Sequence, residues 1–153
     1  MKKLFQLFAV LAVVLLSGCA STEDMGMAVG GLSNTECANK TRYPVYPTMT
    51  LTKDGDKISC QFINFGVNCA HGDIGVSCKH NGFNLDIKIH EDVGGGSGLA
   101  ANCTCPINIY FTIYGATDDS YHVKLDGWDI CDVSFKEHNT AFYDFETREL
   151  KYF

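Results

Sequence analysis

The sequence predicts an all-β fold, an antiparallel β-sandwich of immunoglobulin-like or related type, stabilised by disulfides. Three observations carry that reading. Short segments alternate apolar and polar residues with period two, as half-buried strands do. Asn-Gly and Asp-Gly pairs stand between such segments and suit tight hairpin turns. After the first twenty residues, no segment sustains the 3.6-residue period of an amphipathic helix.

The chain opens MKKLFQLFAVLAVVLLSGCA, where Lys2 and Lys3 precede a thirteen-residue apolar run, Leu4 to Leu16, broken only by Gln6. A membrane span needs about 20 apolar residues and a secretory core roughly 7–15, so residues 1–18 are expected to be a signal peptide. The run ends Leu16-Ser17-Gly18-Cys19, which resembles the lipobox of bacterial lipoproteins. The resemblance implies a diacylglycerol on the Cys19 thiol, cleavage before it and acylation of the new amino terminus. Several acyl chains, at about 0.8 kcal/mol per buried methylene, hold a domain on a bilayer where one holds it marginally. Ala20 replaces the aspartate that retains enterobacterial lipoproteins at the inner membrane, which implies the outer membrane. Glu23 and Asp24 resemble the acidic export signals of surface lipoproteins in the Bacteroidetes. The expected location is the bacterial envelope, lipid-anchored, with the leaflet left open.

Cleavage leaves 135 residues with 10 basic against 18 acidic side chains. That length suits one domain with a sizeable core, and the absence of a Lys/Arg cluster argues against a nucleic-acid partner. Residues 20–44 are small and polar without a sustained period, so residues 19–44 are expected to be a lipidated tether and residues 45–153 the domain.

Strands follow in order. TMTLTKDGDKISCQF predicts a hairpin turning at Asp54-Gly55, with Leu51 opposite Ile58 and Met49 opposite Cys60. DIGVSCKHNGFNLDIKIHE predicts a second, turning at Asn81-Gly82, with His80, Cys78, Val76 and Ile74 opposite Phe83, Leu85, Ile87 and Ile89 on one apolar face. Lys79, Asn84, Asp86 and Lys88 fall on the opposite face. A third strand puts Ile107, Ile109, Phe111 and Ile113 inward, with Asn108, Tyr110, Thr112 and Tyr114 outward. The segment ATDDS then turns it into Tyr121, Val123 and Leu125. The terminal NTAFYDFETRELKYF fits strand or short helix.

Seven cysteines remain after Cys19, and export places them where disulfides persist. Two or three bridges are expected among Cys60, Cys69, Cys78, Cys103, Cys105 and Cys131, with Cys37 the unpaired one. Cys103 and Cys105 share a face and are poorly placed to bridge each other. They are expected to pair with two different partners among Cys60, Cys69 and Cys78. Connectivity stays open, because seven choices of odd cysteine and fifteen pairings of the rest leave about 105 arrangements. Zinc is a competing use, since Cys69-Ala70-His71 and Cys78-Lys79-His80 join Cys103 and Cys105 as soft ligands. The Cys-x-x-Cys knuckle is missing, however, and no metal site or cofactor is assigned.

Other motifs are weak. GGGSG at 94–98 lacks the Lys-Ser/Thr of a phosphate loop and reads as a flexible loop. Asp126, Asp129 and Asp132 would meet on calcium only if their segment curled, so a solvated loop is the reading. His122 and Lys124 read as outward surface residues. No catalytic set assembles. The order of features, GVNC, NLDIKI and CTCPINIYFTIYG over roughly residues 58–125, resembles small cysteine-containing lipoproteins of Bacteroidetes, a group that implies no particular activity. The expected function is a binding or structural module of the envelope. Its partners are the membrane, through the lipid, and a glycan, peptide or protein ligand, with Tyr110, Tyr114 and Trp128 as contact aromatics. The alternative is an envelope enzyme with a Cys/His hydrolytic or zinc site.

Overall fold

The computed structural model describes residues 25–37, 39–41, 43–93 and 100–153. The expected signal peptide, the acylation site Cys19 and the glycine-rich patch at 94–98 lie outside them. Ten strands follow in chain order: β1 (Met25–Asn34), β2 (Thr48–Asp54), β3 (Lys57–Asn68), β4 (His71–Asn81), β5 (Asn84–Val93), β6 (Thr104–Tyr114), β7 (Ser120–Leu125), β8 (Trp128–Ser134), β9 (Thr140–Asp144) and β10 (Glu149–Tyr152). They form one sheet in the order β10-β9-β2-β3-β6-β1-β4-β5-β7-β8. The all-β class is as the sequence implies, and the C-terminal segment is the β9–β10 hairpin.

The sheet curls nearly into a barrel. Its two edges meet through Tyr152 on β10, whose hydroxyl accepts from Ser134 N at 3.1 Å and reaches Asp132 O at 3.5 Å on β8. Period two sets what is enclosed. On β6, Ile107, Ile109, Phe111 and Ile113 are buried while Asn108, Tyr110 and Thr112 between them are not, and on β7 Tyr121, Val123 and Leu125 are buried. Leu51, Ile58, Phe62, Leu85 and Ile87 complete the middle of the core, each contributing about 1.5–3 kcal/mol by leaving water. Phe62 stacks on Phe111 with ring centroids 6.0 Å apart.

Three expectations are corrected. The tether expected over residues 19–44 contains β1, which lies inside the sheet: Met25 to Met27 pair with β4 and Ala28 to Asn34 with β6. Its apolar residues, Met25, Met27, Ala28, Val29 and Leu32, do not alternate, and its glycines leave no period to show in the sequence. Pairing to both sides makes the two halves of the sheet continuous.

Both expected hairpins form, but each turns one residue later. Asp54 pairs with Lys57 and Asn81 with Asn84, so Gly55-Asp56 and Gly82-Phe83 occupy the turns. Gly55 at φ 59° and Gly82 at φ 60° sit at the first central position, the arrangement of a type II′ turn. The register therefore moves by two: Leu51 faces Cys60 and Cys78 faces Ile87. A shift of two preserves the faces, but it leaves Phe83 73% exposed at the hairpin tip instead of inward. The type I′ pair is Asp126-Gly127, at φ 52° and 84°, joining β7 to β8 where a loop was expected.

The segment after β6 is a crossover rather than a hairpin. β7 lies parallel to β5, with Asn84 beside His122 and Asp86 beside Lys124. The remaining sheet pairings are antiparallel. The start of β6 is fastened at the opposite end of the sheet from the Gly82 turn. There Cys37, in the strap after β1, bonds to Cys105 with Cα atoms 5.7 Å apart, and Cys69 bonds to Cys103 at 5.6 Å. Backbone bonds of Thr41 to Thr104, 2.8 Å in each direction, lay the strap along β6.

Candidate ligand recess on the outer face

On the outer face of β4, β5, β7 and β8, cross-strand partners fall into two rows. Asn81, Asn84, His122 and Asp132 make one, and Lys79, Asp86, Lys124 and Asp129 the other. The second row alternates in charge because its members are direct neighbours across strands, where opposite charges are favourable. Lys79, Asn81, Asn84, Asp86 and Lys124 line a recess of about 210 Å³. The Oδ1 atom of Asp86 is covered and has no hydrogen-bond partner. Lys124 Nζ lies 3.1 Å from Asp129 Oδ1, whereas Lys79, among the described residues, has no carboxylate within ion-pair distance. Asn84 Nδ2 donates to Asn81 O at 3.3 Å. A covered carboxylate oxygen with no donor is costly unless water, an ion or a ligand donates to it.

His122 is the cross-strand partner of Asn84. Its Nε2 is 2.9 Å from Asp129 Oδ1 and its Nδ1 is 2.6 Å from Asp132 Oδ1. Two carboxylates on two ring nitrogens favour the imidazolium, which donates from both. Hydrogen bonding to Asp129, then to Asp132, accordingly raises the His122 pKa above its ordinary value. The Asp129 carboxyl is held low by His122 first and Lys124 second. On the far side of His122, a second recess of about 320 Å³ is lined by Phe83, Ser120, Tyr121, His122, Asp132 and Val133. The backbone fixes it, with His122 N donating to Phe83 O at 2.7 Å. The two recesses are linked through the Asn84–His122 strand pairing, Asn84 lining the polar one and His122 the other.

The cysteines do other work. Cys37, expected to be the unpaired one, is bonded to Cys105, because β1 delivers the strap to the foot of β6. Cys103 and Cys105 do take different partners, but only Cys69 comes from the expected set. Cys60, Cys78 and Cys131 are free. Burial, with a smaller contribution from Cys78, pushes the Cys60 thiol well up. Burial, then Asp86, takes Cys78 to about 12, and burial, then Asp132, takes Cys131 to about 12. Such thiols stay protonated at neutral pH and are poor nucleophiles and ligands.

The zinc-ligand set imagined from sequence is dispersed: Cys69 and Cys103 are in a disulfide, His71 Nδ1 contacts Gly72 O, and His80 Nε2 lies 3.1 Å from Asp118. Among the described residues, no group of three His, Cys, Asp or Glu side chains could hold a metal ion. Asp126 does not join Asp129 and Asp132, its Oδ1 accepting instead from Ile89 N at 3.0 Å. The contact aromatics do not converge either. Tyr110 and Tyr114 are on β6, while the 78% exposed Trp128 is on the edge strand β8, four strands beyond β1.

No family model, no curated protein and no solved structure matches the chain. The recess residues missed from sequence had one legible signal, the outward parity of Lys79, Asn84 and Asp86. Their meeting with Lys124 and His122 depends on the parallel β5–β7 pairing.

Proposed function

We propose that this chain is a lipid-anchored binding module of the bacterial envelope, and that the recess around Asp86 is where it holds its ligand. The observation that carries the reading is the covered, unpartnered Asp86 oxygen between Lys79 and Lys124. A fold that tolerates that cost gains from it when a donor arrives. The two disulfides suit an oxidising compartment outside the cytoplasm, in keeping with the Leu16-Ser17-Gly18-Cys19 motif. From Cys19 to Met25 the chain can reach at most about 20 Å. Met25 pairs with His80, beside the Gly82 turn, so acylation at Cys19 would hold the recess end of the domain near the lipid and the disulfide end away from it. In this reading the curled sheet acts as a flattened sandwich, its two halves packed face to face and joined through β1.

The test uses the full chain, expressed in a bacterium with a fatty-acid label and extracted in mild detergent. Label on the wild type but not on Cys19→Ser supports the anchor. Amide shifts confined to Lys79, Asn81, Asn84, Asp86 and Lys124 on adding envelope polysaccharide, peptide or small-metabolite fractions support the site. Unlabelled protein, or shifts that never involve the recess, would overturn the corresponding half.

A further inference from the structure

Building on that binding reading, we propose that the recess takes a neutral saccharide, with adjacent ring hydroxyls donating to Asp86, Lys79 donating to a hydroxyl oxygen, and the apolar face of a sugar ring lying against Phe83.

The donor and acceptor pattern selects the ligand. Asp86 Oδ1 needs a donor. The ammonium groups of Lys79 and Lys124 can only donate, and Lys124 already gives one hydrogen to Asp129. The ligand must therefore donate to one side and accept from the other over a few ångströms. A carboxylate accepts from the lysines but offers Asp86 no hydrogen, and inorganic phosphate keeps a P–OH to donate but brings its negative charge against Asp86. An ammonium satisfies Asp86 but meets two lysines. A hydroxyl does both from one atom, and a vicinal pair can engage the carboxylate while leaving oxygens for Lys79. The Asn81 and Asn84 amides add neutral groups of the kind that match hydroxyls.

A zwitterionic amino acid would meet the same charge pattern, and two further observations favour the sugar. Phe83 is 73% exposed at the tip of the β4–β5 hairpin, directly before Asn84 of the polar recess, and its carbonyl accepts from His122 N, the strand partner of Asn84. A pyranose has a hydroxylated edge and a C–H face, which are the two surfaces that adjoin here. The polar recess is about 210 Å³, and the second, one strand pairing away at His122, is about 320 Å³.

The experiment titrates the detergent-extracted full chain, by calorimetry and amide shifts, with β-glucan, xylan and α-mannan oligosaccharides of about four to six units. Alanine and inorganic phosphate are run in parallel. At least one oligosaccharide is expected to bind. Asp86→Ala should weaken it about tenfold or more, since charge-assisted hydrogen bonds are lost, with Asp86→Asn intermediate and Phe83→Ala several-fold weaker. Asp86→Ala should still melt cooperatively and keep the amide-shift dispersion of the wild type, which separates lost recognition from lost folding. Saccharide affinity unchanged in both Asp86→Ala and Phe83→Ala overturns the proposal. Asp86-dependent binding of alanine or phosphate with no saccharide bound overturns the sugar class and leaves the recess as a binding site. No Asp86-dependent binding by any probe overturns both.

Discussion

Cutting the Cys37–Cys105 bridge is the perturbation with the largest calculable effect. The cysteines are 68 residues apart, and constraining a loop of that length in the unfolded chain would contribute about 4.4 kcal/mol by itself. The second bridge lies inside the first, closing Cys69 to Cys103 over 34 residues. With it intact, the unfolded chain from Cys37 to Cys105 has a shortcut, and the effective loop falls to about 34 residues, worth about 3.8 kcal/mol. Cys37→Ala removes a half-buried sulfur and leaves Cys105 as a covered thiol, which packs as a small apolar group. A loss near 4 kcal/mol is thus expected, a large part of the 5–15 kcal/mol typical of a domain. Equilibrium urea unfolding of oxidised wild type and Cys37→Ala measures it. The midpoint should fall by more than about 1 M, and the slope should rise as the unfolded chain expands. A loss under about 1 kcal/mol, or five alkylatable thiols rather than three in the unfolded, unreduced chain outside Cys19, would refute the reasoning.

Other outcomes follow from single contacts. By NMR, His122 should titrate above its ordinary 6.5, and Asp129→Asn should lower that value more than Asp132→Asn; an unmoved His122 would remove the two-carboxylate clamp. Because its folded pKa is raised, the stability contributed by His122 is complete below about pH 6.5 and lost as pH climbs through the raised value. Asp129, whose pKa is lowered, contributes fully above about pH 3.8 and loses this as pH falls through its folded value. The pair therefore helps most between about pH 4 and 6.5, and added salt should reduce the effect, since both groups meet solvent. Alkylation of Cys60, Cys78 and Cys131 should be slow in the native protein at pH 8 and complete in urea; fast native labelling of Cys60 or Cys78 would contradict their burial. Tyr152→Phe should cost about 1 kcal/mol and speed hydrogen exchange at the Ser134 amide, its partner across the sheet edges; an unchanged Ser134 would place closure elsewhere.

The sequence by itself determined which face of most strands turns inward. Ile107 to Ile113, Tyr121 to Leu125, Leu51, Cys60, Cys78 and Ile87 all lie where period two puts them, because successive side chains on a pleated strand point to opposite sides. It also determined that Asp-Gly and Asn-Gly mark turns. Only the tertiary structure decided what parity cannot encode. A slip of two residues keeps every face, so the alternation at Asp54-Gly55 and Asn81-Gly82 fits two registers equally and turn geometry chooses. Pairing partners are set by the closure of the whole sheet. Recruiting β1 brings Cys37 to Cys105, and laying β7 parallel to β5 brings Lys124 beside Asp86. The candidate recess is built from residues 79–124, and a contact across 38 residues of chain leaves no trace in local spacing.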